Sequence, residues 1–574
     1  MRKWIPIAIL GAAQFVMVLD SSVMNVSISQ IVADLDTTVQ GVQLAITAYT
    51  LVMAAFMLVG AKLGDMWGRD RAFAVGLAVY GLGSLTTSLS PNLTVLLIGW
   101  SGIEGLGAVL VIPAIAALIV ANYEGKMRAL AYGIVGAAAG VAIAAGPLIG
   151  GWVTSTFTWR YVFAAETVVV VVILIFRRQM RPAPRAEQPP QLDGVGAALS
   201  ASGLGLVVFA ILKSSEWGWV MPSGALTIAG HEITPLGFSV VPFLILGGLG
   251  LLAAFAHWEE RRESRGSDTL LDRSMLKIPP MRAGLSTLLM QQLTLLGTFF
   301  VLPVYLQIVL GLDAFETGKR LFPMSLTMLI SALLGPRLAT RFAPKRVCQA
   351  GLLTLSAGAF LLLATIGVEL NDRGFAVSLA LFGIGAGLLL SQLGNVIMSS
   401  VGQERASEAG GLQGTAQNLG ASLGTALIGA VLLAGLASGF SSRIEQNSAL
   451  PSRVRQEISA AAAAGIDIVP VAEVEQIARD QGLPPRQAQA VAADYGDAQL
   501  EALKKAMGAV AVFALAGLWF TRRLPSRALE PPGVPDAAAQ RKPPVVPVAA
   551  PRAGADVVET SRVGVDGGDR PSRR

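Results

Sequence analysis

The sequence predicts an all-α polytopic membrane protein: two pseudo-symmetric six-helix halves with two inserted central helices, about 14 transmembrane helices in all. Three observations predict it. The 574 residues are 53% hydrophobic and 14% charged, with a mean hydropathy of +0.59, values outside the soluble globular range. Apolar runs of about twenty residues, each long enough to cross a bilayer core, recur along the chain. A short charged turn, Gly60-Ala61-Lys62-Leu63-Gly64-Asp65-Met66-Trp67-Gly68-Arg69-Asp70-Arg71, returns without a gap as Gly335-Pro336-Arg337-Leu338-Ala339-Thr340-Arg341-Phe342-Ala343-Pro344-Lys345-Arg346, 275 residues on (335 − 60).

Taken in order, the first six spans run through Trp4–Ile28, Gln40–Leu63, Ala72–Leu89, Leu93–Val120, Ala129–Thr154 and Tyr161–Phe176. Two more lie near Gly194–Leu212 and Thr234–Phe255. The last six are Ala283–Leu306, Leu321–Ala339, Val347–Ile366, Phe375–Val401, Gly410–Leu436 and Met507–Phe520. This divides the chain into an N-terminal half at 1–178, a cytoplasmic linker at 179–193, the inserted pair at 194–256 and a cytoplasmic loop at 257–282. The C-terminal half follows at 283–522, holding an extracytoplasmic helical segment at 438–505, and then a disordered cytoplasmic tail at 523–574.

The repeat supports this layout independently of hydropathy. Gly105-Leu106-Gly107-Ala108 in span four pairs with Gly383-Ile384-Gly385-Ala386 in span twelve. Gly133, Gly136, Gly146 and Gly151 in span five pair with Gly411, Gly414, Gly424 and Gly429 in span thirteen, 278 residues on (411 − 133). Basic residues gather in alternate loops, so the positive-inside rule places both termini in the cytoplasm of an inner (plasma) membrane protein. Trp152, Trp159, Trp217, Trp219 and Trp258 fall at span ends, as an aromatic belt would.

Several function classes drop out. One cysteine and two histidines leave no disulfide framework and no His/Cys metal site. The net charge of +6 lies in short loops on one side, which argues for topology signals and against a nucleic-acid partner. No phosphate-binding Gly-x-x-x-x-Gly-Lys-Ser/Thr loop is present, which speaks against ATP-driven transport.

The candidate chemistry starts from Asp20 in span one. An acid at mid-membrane depth is costly and marks a wet cavity and a role. Helical spacing places Gln14, Met17, Asp20, Ser21, Met24 and Asn25 on one arc of roughly 140°, able to line a cavity for polarizable or cationic guests. Glu104 in span four is a second titratable candidate, and its alternative is an acid paired with a helix neighbour. Glu166 in span six is a third, and its alternative is a half-solvated acid near the outer end.

Four regions now carry a resemblance: the Asp65-Met66-Trp67-Gly68-Arg69 turn, Leu19-Asp20-Ser21-Ser22-Val23-Met24-Asn25-Val26, Ser101-Gly102-Ile103-Glu104-Gly105, and Gly133 followed by Gly146-Pro147-Leu148-Ile149-Gly150-Gly151. The chain resembles the major facilitator superfamily, and within it the fourteen-span drug–proton antiporters, over Met1 to Arg523. The resemblance implies the major facilitator fold and proton-coupled export of small amphipathic or cationic compounds by alternating access. It implies that Gly60, Asp65, Gly68, Arg69 and Arg71 form a conformational latch, and that Gly133, Gly146, Pro147, Gly150 and Gly151 form the exporters' antiporter motif. The departures are Ser101 where Arg is usual, Glu104 for Gln, Glu166 for Asn, Ala142 for Gly, and Asp70 at a basic position. Gln307, Gln413, Gln417 and Asn418 match family-like positions and become substrate contacts, with helix–helix hydrogen bonds as their alternative. The expected ligands are a drug-like small molecule and the bilayer, with protons as coupling ion, no cofactor or metal, no enzymatic activity, and a monomeric state. The rival readings are a proton-coupled importer or facilitator, an exporter of one lipid or metabolite, and a non-transporting scaffold or sensor.

Overall fold

The structure, a computed structural model, describes residues 4–183, 191–222, 226–228, 231–339, 341–401, 405–464 and 466–526. Part of the expected linker, at 184–190, and the expected tail from residue 527 on lie outside the described residues.

Each expected span lies on a long helix. The first half holds α1 (Ile5–Val26), α2 (Val39–Trp67), α3 (Arg69–Ser88), α4 (Leu93–Asn122), α5 (Gly125–Thr156) and α6 (Arg160–Phe176). The inserted pair is α7 (Gly194–Trp217) and α8 (Val241–Ser264). The second half holds α9 (Pro279–Val309), α10 (Ala314–Ala339), α11 (Pro344–Thr365), α12 (Asp372–Ser399), α13 (Ala406–Gln446) and α14 (Pro485–Phe520). Among the described residues, 11 helices are long and apolar enough to cross a membrane; α3, α6 and α10 are the long helices outside that set. For two of them the reasons are local: α3 opens on Arg69, Asp70 and Arg71, and α6 has 17 residues. At 1.5 Å per residue α6 reaches roughly 25 Å, short of a hydrocarbon core of ~30 Å.

Helix starts are set by short polar side chains. Thr38, Asn92, Asp193 and Asn371 each accept a bond from the backbone N–H three residues on, opening α2, α4, α7 and α12. Each such cap is worth about 1 kcal/mol. Between α2 and α3 the chain turns at Gly68 with φ +91°, a conformation closed to side-chain-bearing residues. The expected 438–505 segment is helical: α13 runs on to Gln446, and Ser452–Ala464 and Val471–Asp480 precede α14. A small antiparallel pair, β1 (Leu226–Ile228) and β2 (His231–Ile233), joins α7 to α8.

Packing follows the repeat. With the 275–278-residue offset, α2 corresponds to α10 and α5 to α13. The halves meet along two seams, α2 on α13 and α5 on α10, which are therefore equivalents of one another. The same holds inside each half. A Cβ on Gly107 would stand 2.4 Å from the Tyr80 backbone nitrogen, and one on Gly385 2.4 Å from the Leu355 nitrogen, so α3–α4 and α11–α12 touch backbone to backbone. Small residues permit that approach in a lipid setting, where packing replaces the hydrophobic drive. Gly107→Val is expected to lower the unfolding midpoint in detergent by the cost of overpacking, about 1–3 kcal/mol, measured by thermal scanning.

Many large apolar side chains face outward, among them Val168, Ile175, Leu246 and Val512, each 60% exposed or more. A belt of this kind marks a surface that meets acyl chains. The expected tryptophan belt needs one correction. Trp152 and Trp219 are exposed, but Trp159 and Trp217 are buried. Trp159 donates to Asp34, and the Arg160 guanidinium bridges Asp34 at 2.9 Å, so this corner ties α6 to the segment after α1.

Candidate functional site

Asp20 from α1, Glu104 from α4 and Glu166 from α6 converge in the first half. Their exposures are 0%, 0% and 2%, and each offers an oxygen within 4.8 Å of the others. Glu166 is thus buried, and the half-solvated alternative for it does not hold. The Trp100 indole N–H donates to Asp20 Oδ1 at 2.7 Å. The Ser84 and Tyr80 hydroxyls donate to Glu166 Oε2 at 3.1 and 3.4 Å. Among the described residues, Asp20 Oδ2, Glu166 Oε1 and both Glu104 oxygens have no hydrogen-bond partner. Ser101, at the position of the usual arginine, donates to the Ala45 carbonyl at 2.8 Å and leaves the acids to one another. Two ionised carboxylates ~5 Å apart repel by roughly 3 kcal/mol at an effective dielectric of ~20. That equals or exceeds what one charged hydrogen bond returns, about 1.5–3 kcal/mol.

The local sequence explains the convergence. Residues 97–104 form a π-helical turn, and Trp100 and Glu104, four apart, share its inward face. Gly83 lets α3 come close: a Cβ there would stand 2.4 Å from the Glu104 nitrogen. Sequence reasoning misses Trp100, although its spacing to Glu104 is an available signal.

Beside the cluster lies a cavity of about 240 Å³ between the halves. Gln14, Met17, Ser21 and Asn25 of α1 line it, facing Gln417 and Asn418 of α13. Met53, Met57 and Met328 add soft, polarizable surface, and Phe299 an aromatic ring. The single arc expected on α1 splits: Asp20 and Met24 turn away from the cavity and are fully buried. Asp20 instead meets the Trp100 indole N–H, which it accepts at 2.7 Å. Gln307 and Gln413 also lie off the cavity wall. Gln307 instead joins the halves, donating to the Val26 carbonyl at 2.7 Å and accepting from the Ser29 N–H at 3.0 Å.

The glycine motif packs α5 between α1 and α10. A Cβ on Gly146 would meet Ser22 at 2.5 Å, one on Gly150 would meet Val23 at 2.8 Å, and one on Gly151 would meet the Ala314 carbonyl at 2.4 Å. Across the seam, a Cβ on Gly318 would stand 2.2 Å from the Pro147 carbonyl. Gln43 adds a bond to the Thr425 carbonyl at 2.9 Å on the other seam. Toward the opposite end of α5, Gly133 and Gly136 face open space. The halves are therefore shut at the Gln307 end.

At the other end lies the charged turn. Asp65 belongs to the last turn of α2, before the break at Gly68, so no helix N-terminus favours its charge. Its partner is Arg69, which is buried at the head of α3 and ion-paired to it. A Cβ on Gly60 would strike the Val109 carbonyl at 2.4 Å, and Arg71 is exposed.

Comparison with known proteins places this geometry. The family model described as Major Facilitator Superfamily matches residues 10–425. The chain is 30% identical over 470 residues to a probable actinorhodin transporter of Streptomyces coelicolor, covering 80% of this chain and 77% of that protein. It is 28% identical over 516 residues to the multidrug resistance protein Stp of Mycobacterium tuberculosis, covering 89% and 91%. Among solved structures, a bacterial homolog of the human lysosomal transporter Spinster superposes with TM-score 0.58 at 15% identity, covering 91% of this chain and 96% of that one. A D-xylose–proton symporter does so with TM-score 0.54 at 12% identity, covering 92% and 99%. A bundle of apolar helices in two equivalent halves, matched to that model over most of its length, belongs to the Major Facilitator Superfamily: the chain is a multi-pass membrane transporter and not an enzyme.

Proposed function

We propose that the protein exports small amphipathic or cationic compounds in exchange for protons, by alternating access of the inter-half cavity. The buried trio Asp20, Glu104 and Glu166 beside a cavity of drug-compatible chemistry supports this most strongly. Three acids so close, with no cation opposite them among the described residues, suit a site that holds protons and gives them up. The relatives named for actinorhodin transport and multidrug resistance support the direction and the substrate class. In this reading fourteen helices span the inner membrane with both termini in the cytoplasm, because the basic loops gather on that side. The Gln307 end is then outer, and the Asp65–Arg69 turn with Gly60, Gly68 and Arg71 is the cytoplasmic latch. The antiporter motif acts by packing, with Gly146, Pro147, Gly150 and Gly151 closing the outer seam. Substrate is held by Gln14, Met17, Ser21, Asn25, Gln417 and Asn418.

A second reading has one observation in its favour: carboxyl oxygens within 4.8 Å of one another would also hold a small cation, so sodium is the alternative coupling ion. Proteoliposomes loaded with a cationic dye test both. The proposal expects dye movement driven by an imposed pH gradient, indifferent to a sodium gradient, and absent from the triple variant Asp20→Asn, Glu104→Gln, Glu166→Gln. Movement that follows sodium alone, or a triple variant that transports like wild type, contradicts it.

A further inference from the structure

None of the three acids lines the cavity, although Tyr49 on its wall acts on Asp20. One pair of rings stands between the cavity and the acids. Tyr49 of α2 lines the cavity and stacks on Trp100 of α4, centroids 4.5 Å apart and planes 2° from parallel. Trp100 in turn places its N–H on Asp20 at 2.7 Å. Both rings are buried. The stack thus runs from the cavity wall to the acid.

We infer that the Tyr49–Trp100 stack couples the cavity to the acids, and that the guest it senses is a planar aromatic cation. This rests on the antiport reading and adds to it the coupling element and the substrate class. The cavity wall supports that class. It carries Tyr49, Phe299 and several methionines for a flat ring, and no Lys, Arg or His to repel a cation. Gln292 Oε1, also on the wall, is buried without a partner and is free to accept a bond from a cationic N–H.

The direction of coupling follows from hydrogen-bond strength. A donor aimed at an ionised carboxylate is roughly twice as favourable as one aimed at a neutral acid. A guest seated against Tyr49 holds the stack in place and keeps the Trp100 N–H on Asp20, which favours the ionised acid and releases its proton. With the cavity empty the stack is unsupported on that side, and the proton returns. The other groups that act on Asp20 are Tyr49 from α2, Tyr80 from α3, Glu104 from α4 and Glu166 from α6. α5, packed on the other face of α1, presents Gly146 and Gly150 there.

Tyr49→Phe, Tyr49→Leu and Trp100→Phe test the stack in full-length protein, with ethidium as probe. Two quantities are read: proton-driven accumulation relative to dye exchange in proteoliposomes, and the pH dependence of tryptophan fluorescence in detergent. Tyr49→Phe keeps the stack and removes only the hydroxyl that acts on Asp20, so coupling retained in this variant assigns the effect to the rings and coupling lost assigns it to the hydroxyl. Trp100→Phe, which leaves the cavity wall intact, is expected to bind and exchange ethidium but to lose about fivefold or more in the accumulation-to-exchange ratio, whereas Tyr49→Leu is expected to weaken ethidium binding as well. The pH-dependent part of the wild-type fluorescence is expected to vanish in both Trp100→Phe and Asp20→Asn. Trp100→Phe retains a ring to fill the site while removing the N–H, so the test holds even where Tyr49→Leu folds poorly. Full coupling in Trp100→Phe beside a coupled wild type overturns this inference alone. A wild type that binds ethidium but never accumulates it on a pH gradient overturns the antiport reading and this inference together.

Discussion

Asn in place of Asp20 is expected to leave the transporter folded and able to exchange its substrate, yet unable to move it uphill on a pH gradient. The side chains have the same shape, and the Asn carbonyl can still accept the Trp100 N–H that Asp20 receives at 2.7 Å. What is lost is the gain and loss of a proton. A pH difference of one unit is worth about 1.4 kcal/mol per proton, a factor of about ten in accumulation. Wild type should therefore build a dye ratio of that order for each proton exchanged, and Asp20→Asn a ratio near one. Counterflow of labelled against unlabelled dye should survive, because it needs no net proton movement. Undiminished accumulation in Asp20→Asn would remove Asp20 from the coupling path and leave Glu104, whose two oxygens have no partner, as the proton carrier.

Gly318→Val is expected to force the halves apart at the Gln307 end. A Cβ there would stand 2.2 Å from the Pro147 carbonyl, and a backbone oxygen cannot swing aside as a side-chain tip would. Overpacking of this kind costs about 1–3 kcal/mol, and ~1.4 kcal/mol already changes a two-state ratio tenfold. The contact belongs to the shut end, so the added bulk acts against the state in which that end is closed. Spin labels on Phe157→Cys and Val368→Cys, both exposed and in different halves, report the separation. The sole native cysteine, Cys348, is buried and stays unlabelled. The distance distribution should shift to longer values in Gly318→Val. An unshifted distribution would show that this seam does not hold the end shut.

The two-half layout is legible in the sequence because it rests on repetition. The turn at Gly60 and the glycines of spans four and five return at nearly constant offset, and Gly107 and Gly385 return with the same packing job. The three acids are legible singly, since a charge inside an apolar run is conspicuous. Their meeting is not, because it depends on the approach of α3 to α4 at Gly83 and on a π-helical turn that no periodicity announces. Helical spacing puts Asp20 on the cavity face because it says which residues share a face but not which neighbour that face meets. Trp100 alone settles that point. Gln307 reads as a substrate contact from the resemblance alone, and its bonds to Val26 and Ser29 make it a tie between halves, the alternative given for it. The burial of Trp159 and Trp217 is equally hidden, as a span-end position is compatible with lipid and with protein.

Proton release on substrate binding tests the central claim most directly, that filling the cavity discharges the acids beside it. Protein in lightly buffered detergent, mixed with saturating ethidium, should release on the order of one proton per dye bound, and by linkage its affinity for the dye should rise with pH. Asp20→Asn should bind ethidium with no release and with pH-independent affinity. Binding by wild type that releases no protons and is insensitive to pH would contradict the account.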